Sequence, residues 1–246
     1  MQPKNTGEEF PEDLAIEGHK ELIKGLVDVN LIQKKQPTVV VDCNGAGSVI
    51  SPYLLRELGC KVLSLNSEGT GFNRPSEPNE KNLQDLMRIV KSTGADLGIA
   101  HDGDADRAVV VDETGLILPL DTQLAIMIEN ELQLSKNKKV VSTVEASLMI
   151  RDVVEKNNGS IEITPVGSAN LSEKLESENA SFGGEPCGEY VFEKGVHVPD
   201  GVLTGAKFVE IFCRNGRLSQ MKEKYISHFM LREKFRCEGK DKYVLV

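Results

Sequence analysis

Short apolar runs alternate along this chain with longer segments in which apolar residues recur every three or four positions. The runs Thr38–Asp42 and Lys61–Leu65 have the length and composition of buried strands. Residues 14–29 and 80–93 place apolar side chains on one face at helical spacing, which predicts two amphipathic helices. A further helix is predicted around Pro52, because proline suits the first turn of a helix.

The alternation continues through a second set of segments, and the two sets meet near Leu118. Strands that alternate with helices indicate an α/β fold, because helices must cover the apolar faces of a sheet. We therefore predict two tandem, similar three-layer α/β domains with mixed sheets, at residues 1–118 and 119–217. Residues 218–246 are predicted to form a linker and the start of a further domain. The remaining predicted strands are 97–100, 108–111, 139–142, 161–164, 180–182, 190–192 and 231–237, and the remaining predicted helices are 121–134, 147–156, 171–178 and 201–213.

Composition narrows the classes of function. The 246 residues carry a formal net charge of −9, which disfavours nucleic-acid binding because polyanions are bound through Lys and Arg patches. No apolar run approaches the length needed to cross a bilayer. The five cysteines have no paired spacing, which is typical of reduced thiols in a cytoplasmic protein.

The sharpest chemical feature is a loop in which Asp102, Asp104 and Asp106 alternate with small residues and are followed by Arg107. Carboxylates this close repel one another and raise each other's pKa. A hard divalent cation such as Mg²⁺ removes that penalty, because it prefers oxygen ligands. The arginine adds a planar cation suited to phosphate.

Two other interpretations of this loop stay open at the level of sequence. One is a solvated acidic turn between two strands. The other is a calcium EF-hand, since Glu113 falls at the twelfth position of such a loop. However, Arg107 occupies the sixth position, where an EF-hand needs glycine, and the flanking residues favour strands over helices.

A second candidate is the turn Gly-Gly-Glu-Pro-Cys-Gly-Glu at 183–189, between two predicted strands. A rigid turn that carries the Glu185 carboxylate can accept hydrogen bonds from neighbouring sugar hydroxyls. The alternative is an ordinary hairpin with a surface glutamate. His101, which precedes the acidic loop, is expected to be a surface or core residue and not an acid–base group.

The stretch DGDADR between two strands, followed by DETG, resembles the metal loop of the α-D-phosphohexomutases. The segment VVVDCNGAGS at 39–48 resembles the start of the same domain, although its glycines also suit a tight strand-to-helix turn. The resemblance covers roughly residues 12–230 and corresponds to the second and third of the family's four domains. It implies that Asp102, Asp104 and Asp106 bind Mg²⁺ and that Arg107 lies at the reaction centre.

The turn at 183–189 resembles the sugar-binding loop of that family. Glu185 aligns with the glutamate that contacts sugar hydroxyls, Cys187 stands where serine is usual, and Glu189 stands where histidine is common. The segment 164–168 resembles a further loop of the same domain, in which Gly167 and Ser168 lie beside the substrate. A plain turn with Ser168 as a helix cap is the alternative for that segment.

The resemblance implies intramolecular phosphoryl transfer on a hexose phosphate, with Mg²⁺ and a phosphoserine from another domain. No loop like the family's serine loop or its Arg-rich phosphate loop occurs in these residues. We therefore expect a mutase fragment that is inactive alone, cytoplasmic, and able to form a homodimer through surfaces that missing domains expose. The alternative is a non-catalytic relative that binds metal or sugar phosphate or serves in assembly. A metal-dependent phosphatase is disfavoured, because no Asp-x-Asp nucleophile motif follows a first strand.

Overall fold

The computed structural model describes residues 14–68 and 73–231. It contains two four-stranded sheets, ordered β2-β1-β3-β4 and β6-β5-β7-β8. In each sheet the first three strands are parallel and the last is antiparallel. The predicted α/β class with two mixed sheets is therefore confirmed. The strands are β1 (Thr38–Asp42), β2 (Lys61–Leu65), β3 (Leu97–His101), β4 (Ala108–Asp112), β5 (Lys139–Thr143), β6 (Ser160–Thr164), β7 (Phe182–Gly184) and β8 (Tyr190–Phe192).

Helices cover both sheets and connect their parallel strands. Short 3₁₀ turns at Ala46–Val49 and Lys222–Lys224 accompany them. No described helix is long and apolar enough to cross a membrane. The helices are α1 (Ala15–Leu26), α2 (Val29–Lys35), α3 (Ser51–Glu57), α4 (Gln84–Thr93), α5 (Leu120–Leu134), α6 (Leu148–Lys156), α7 (Ser168–Ser177), α8 (Gly201–Asn215) and α9 (Leu218–Met221).

Helix α8 joins the two halves of the described chain. It follows the second sheet in sequence but packs against β3 and β4 of the first sheet. Asp200 caps its start by accepting a 2.9 Å hydrogen bond from the Leu203 amide. Val39 and Ile99 of the first sheet share one buried cluster with Phe182 of the second sheet. Both sheets therefore rest on a common apolar core, which holds their loops in a defined relation.

Several predicted boundaries are wrong, each for a local reason. The predicted helix 14–29 ends early, as α1, because Val27 is extended, and a second helix, α2, which the sequence did not predict, starts after the capping side chain of Asp28. Helix α4 begins at Gln84 and not at residue 80, and α7 begins at Ser168 and not at residue 171. The predicted strand 231–237 falls almost entirely outside the described residues.

The predicted bounds of strand β7 are also wrong, because the strand contains Phe182–Gly184 and not residues 180–182. Two glycines are poor strand formers, and the predicted strand ended before them. The sheet nevertheless requires them, because a Cβ on Gly184 would lie 2.5 Å from Leu124 Cδ1. A Cβ on Gly183 would lie 3.2 Å from Leu171 Cδ1. The glycines let α5 and α7 approach the sheet closely.

Candidate functional site

The acidic loop is the connection between the antiparallel strands β3 and β4. Asp102 is buried, Asp106 is half-buried and Asp104 is exposed. Between them Ala105 adopts a left-handed conformation, with a φ of +62°. This curl lets the carboxylates converge, so that one oxygen from each aspartate lies within 4.8 Å of the others. The structure thus brings together all three predicted metal ligands.

Arg107 is fixed against this loop by two carboxylates. Its Nε donates to Asp102 Oδ2 at 2.7 Å, and its Nη1 donates to Glu77 Oε2 at 3.1 Å. Burial raises the pKa of Asp102, but the hydrogen bonds and charge of Arg107 outweigh burial, so this pKa lies below its ordinary value. Asp102 is therefore an ionised and immobile oxygen donor.

Asp106 is the strained member of the set. Its Oδ1 is buried 3.8 Å from Arg107 Nε and has no hydrogen-bond partner among the described residues. Burial, followed by the charges of Asp102, Asp104 and Glu189, raises the pKa of Asp106 to about 7. A buried carboxylate oxygen that has only a long ion pair to Arg107 and belongs to an all-oxygen group fits a hard divalent cation such as Mg²⁺. A solvated acidic turn does not explain this burial.

The EF-hand interpretation is wrong, because its flanks are strands and its twelfth residue points elsewhere. The loop joins β3 to β4, whereas an EF-hand loop joins two helices. Glu113 accepts a 3.3 Å hydrogen bond from the Ser219 amide, at the start of α9.

A segment that the sequence analysis missed supports the acidic loop from one side. Arg74 Nε donates to Asp42 Oδ2 at 2.8 Å, and Arg74 Nη2 donates to the His101 carbonyl. Next to it, Ser76 Oγ accepts a 2.9 Å hydrogen bond from the Gly103 amide. The available signal was Asp42, a carboxylate at the end of an apolar strand that requires a cation if buried.

Glu185 and Gly167, predicted from separate segments, meet in the second sheet. Glu185 is buried, and its Oε1 accepts a 2.9 Å hydrogen bond from the Gly167 amide, 18 residues away. The surface-glutamate alternative is therefore wrong. Helix α7 begins at Ser168, but no side chain caps it, which contradicts the alternative that Ser168 serves as a cap.

Cys187 and Glu189 complete the second loop. Burial raises the pKa of the Cys187 thiol to about 12, which keeps it protonated at neutral pH. Burial, followed by the charge of Glu185, also raises the pKa of Glu189. Ligand atoms of these three residues lie within 4.8 Å of one another. A protonated thiol is a poor ligand for a hard cation, so the aspartates form the better metal site.

The two loops are joined through their backbones. The Ala108 amide donates to the Gly188 carbonyl at 3.1 Å, and Arg107 forms a β-bridge with Glu189. From the other side, the Gly201 amide at the start of α8 donates to the Ala105 carbonyl at 3.1 Å. The acidic loop of one sheet and the carboxylate loop of the other therefore lie side by side, joined by backbone hydrogen bonds.

Two mixed sheets of the same strand order, each covered by helices, define a pair of tandem α/β/α domains. Residues 17–115 match the family described as "Phosphoglucomutase/phosphomannomutase, alpha/beta/alpha domain II", and residues 120–229 match the corresponding domain III. The chain belongs to the phosphoglucomutase/phosphomannomutase family of α-D-phosphohexomutases.

Two curated relatives illustrate the similarity. The chain is 40% identical over 243 residues to "Phosphoglucomutase/phosphomannomutase" of Thermococcus kodakarensis, covering 97% of this chain and 53% of the relative. It is 42% identical over 207 residues to "Probable phosphoglucosamine mutase" of Methanobrevibacter smithii, covering 83% of this chain and 45% of the relative. The chain thus spans about half the length of the curated relatives it matches.

Solved structures have the same fold. A phosphoglucomutase/phosphomannomutase family protein from Burkholderia thailandensis superposes with a TM-score of 0.77 at 26% identity, over 86% of this chain and 46% of that one. Aspergillus fumigatus N-acetylphosphoglucosamine mutase, in complex with GlcNAc-6P and magnesium, superposes with a TM-score of 0.56 at 17% identity, over 91% of this chain and 56% of that one.

The contact between the loops predicts the effect of a side chain at Gly188. Its φ is +96°, and an added Cβ would lie 2.7 Å from the Ala108 carbonyl oxygen. Gly216 is a matched control, because its φ is +90° and nothing lies within 4 Å of an added Cβ. We expect both alanine variants to lose about 1–3 kcal/mol to backbone strain. The free energy of unfolding of Gly188→Ala should fall by about 1 kcal/mol more, because the added Cβ also displaces the Ala108–Gly188 hydrogen bond. Urea unfolding of both variants measures the difference. Equal losses would contradict the contact.

The raised pKa of Asp106 predicts a pH dependence of stability in metal-free buffer. A carboxyl group whose pKa rises from 3.8 to about 7 on folding stabilises the protein fully below the lower value. That contribution is lost as pH rises through about 7. We therefore expect the wild-type free energy of unfolding to fall relative to that of Asp106→Asn across this interval. Parallel curves for the two proteins in EDTA would show that Asp106 is not perturbed.

Proposed function

We propose that this chain supplies the metal loop and the sugar loop of a phosphohexomutase that moves a phosphate between two positions of a hexose. The observation that carries the proposal is the backbone pairing of Ala108 with Gly188. It places the second carboxylate loop beside the aspartates and Arg107. Phosphoryl transfer requires mainly positioning and charge stabilisation, and these two loops offer the groups for both.

Asp102, Asp104 and Asp106 would hold Mg²⁺, which supplies neutralisation of charge on the transferring phosphoryl group. Three features of this chain support the assignment: converging oxygens, the ionised Asp102 and the buried Asp106 oxygen without a hydrogen-bond partner among the described residues. Aspergillus fumigatus N-acetylphosphoglucosamine mutase, which has the same fold, was solved in complex with magnesium. Arg107 adds a fixed positive charge beside the aspartates, suited to a phosphate oxygen.

The second loop would orient the sugar. Glu185 is held by the Gly167 amide and presents a rigid carboxylate to sugar hydroxyls. Ser168, Cys187 and Glu189 lie on the two segments that this contact joins, and we assign them to the substrate side. The names of the relatives make phosphoglucose, phosphomannose and phosphoglucosamine the candidate substrates.

The phosphoserine would come from a part of the full-length protein outside these residues. In this proposal residues 1–118 form the metal-loop domain, 119–217 form the sugar-loop domain, and 218–246 lead into a further domain. The cytoplasmic location and the homodimer stay predictions of the sequence. A non-catalytic binding module is the second candidate, and the replacement of the family's usual serine and histidine by Cys187 and Glu189 favours it.

The metal assignment predicts saturable Mg²⁺ binding by the purified chain. Asp104→Asn removes one ligand charge from an exposed position and should weaken binding at least tenfold without unfolding the protein. Asp85→Asn is the control, because Asp85 is an exposed aspartate on α4, outside the loop. Isothermal titration calorimetry with the chain and both variants measures the difference. Equal affinity in all three proteins would place the metal elsewhere.

Because the proposal places the donor phosphoserine outside these residues, it predicts that the isolated chain does not turn over substrate. We expect no conversion of glucose, mannose or glucosamine 1-phosphate, even with Mg²⁺ and a hexose bisphosphate, because no donor serine loop is present. A coupled assay for the 6-phosphate product measures this, with an intact relative as the positive control. Conversion that disappears in Arg107→Ala would contradict the prediction and assign the whole reaction to these residues.

A further inference from the structure

His101 makes contacts that its position beside the metal loop does not by itself explain. It is the last residue of β3, and its side chain is buried. One ring nitrogen, Nε2, lies 2.8 Å from Ser51 Oγ at the start of α3. The other, Nδ1, lies 3.0 Å from the Arg107 carbonyl oxygen, across the acidic loop. The ring therefore connects α3 to the far end of that loop.

The chemistry of these partners determines the tautomer. A carbonyl oxygen can only accept, so Nδ1 must carry a proton and donate to Arg107. The two ring partners, a hydroxyl and a carbonyl, are uncharged, and neither supplies an anion to compensate a buried imidazolium, so the ring is neutral and Nε2 carries no proton. Ser51 Oγ then donates to Nε2. The result is a directed chain of hydrogen bonds from Ser51 through His101 to the Arg107 carbonyl.

The surroundings of the ring are built to hold it. A Cβ on Gly47 would lie 2.9 Å from His101 Cδ2, so the glycine leaves room for the imidazole. This contact gives a structural reason for one glycine of the turn after β1. The His101 carbonyl in turn accepts from Arg74 Nη2, whose guanidinium is also bound to buried Asp42. The imidazole ring and the backbone carbonyl of His101 are thus both held by hydrogen bonds.

We propose that His101, oriented by Ser51, is a positioning residue that sets the place of Arg107 at the metal loop. The Arg107 carbonyl is held by the ring, while its guanidinium is held by Asp102 at 2.7 Å. Loss of the Nδ1 donor removes one of the hydrogen bonds that hold the backbone at residue 107, beside its β-bridge to Glu189, and loosens the Arg107–Asp102 pair. The consequence for metal binding rests on the proposed function, whereas the tautomer and the hold on Arg107 do not.

Two conservative variants separate this role from bulk packing. The amide nitrogen of His101→Asn occupies the place of Nδ1 and can still donate to the Arg107 carbonyl. The amide of His101→Gln reaches the place of Nε2 and can contact only Ser51. His197→Asn serves as the control for loss of an exposed histidine. The readouts are the imidazole ¹⁵N shifts, hydrogen exchange at Arg107 Nε–H, and the Mg²⁺ dissociation constant.

We expect wild-type His101 to show a protonated Nδ1 and an unprotonated Nε2. Exchange at Arg107 Nε–H should be near wild type in His101→Asn and about tenfold faster in His101→Gln, in proportion to one lost hydrogen bond. Mg²⁺ affinity should follow the same order. Ser51→Ala should leave the fold intact and increase the population of the other tautomer.

Three results would overturn the inference: an Nε2–H tautomer in the wild type, equal exchange in the two variants, or faster exchange in the asparagine variant. The tautomer of the wild type decides the matter even if a variant fails to fold. Absence of Mg²⁺ binding by the wild type would refute the proposed metal site alone, since exchange at Arg107 Nε–H still tests His101.

Discussion

The backbone pairing between the two loops is the constraint on which the site depends. The Ala108–Gly188 and Gly201–Ala105 hydrogen bonds tie the acidic loop of the first sheet to the second sheet and to α8. Because α8 packs on the first sheet, these bonds are reinforced by a shared apolar core. The shared core holds the two sheets together, and these hydrogen bonds fix the aspartate loop against the loop that carries Glu185.

The pairing of the two loops also has an electrostatic cost. It places the three aspartates and Glu189 near the guanidinium of Arg107, and burial, followed by the charges of the neighbouring carboxylates, raises the pKa values of Asp106 and Glu189. Arg107 offsets part of this repulsion through Asp102, and Glu77 holds its other end. A divalent cation would relieve the remaining repulsion, so the electrostatic strain of the loop and the proposed affinity for metal would have the same physical origin.

The sequence predicted the features that local patterns of residues determine. Alternating aspartates identify their own loop, and apolar periodicity identified the sheets and most helices. It failed where tertiary contacts decide. The glycines of β7 belong to a strand only because α5 and α7 press against them. Arg74 and Ser51 reach the acidic loop through contacts between distant segments, which no local pattern of residues reveals.

The claim that the two loops form one metal-bearing site is tested most directly by paramagnetic broadening with Mn²⁺, which takes the same oxygen ligands as Mg²⁺. In the ¹H–¹⁵N spectrum of the chain, substoichiometric Mn²⁺ should broaden amides at 101–108 and at 185–189 together, and excess Mg²⁺ should restore both. Broadening confined to one loop, or spread over surface carboxylates elsewhere, would contradict the account.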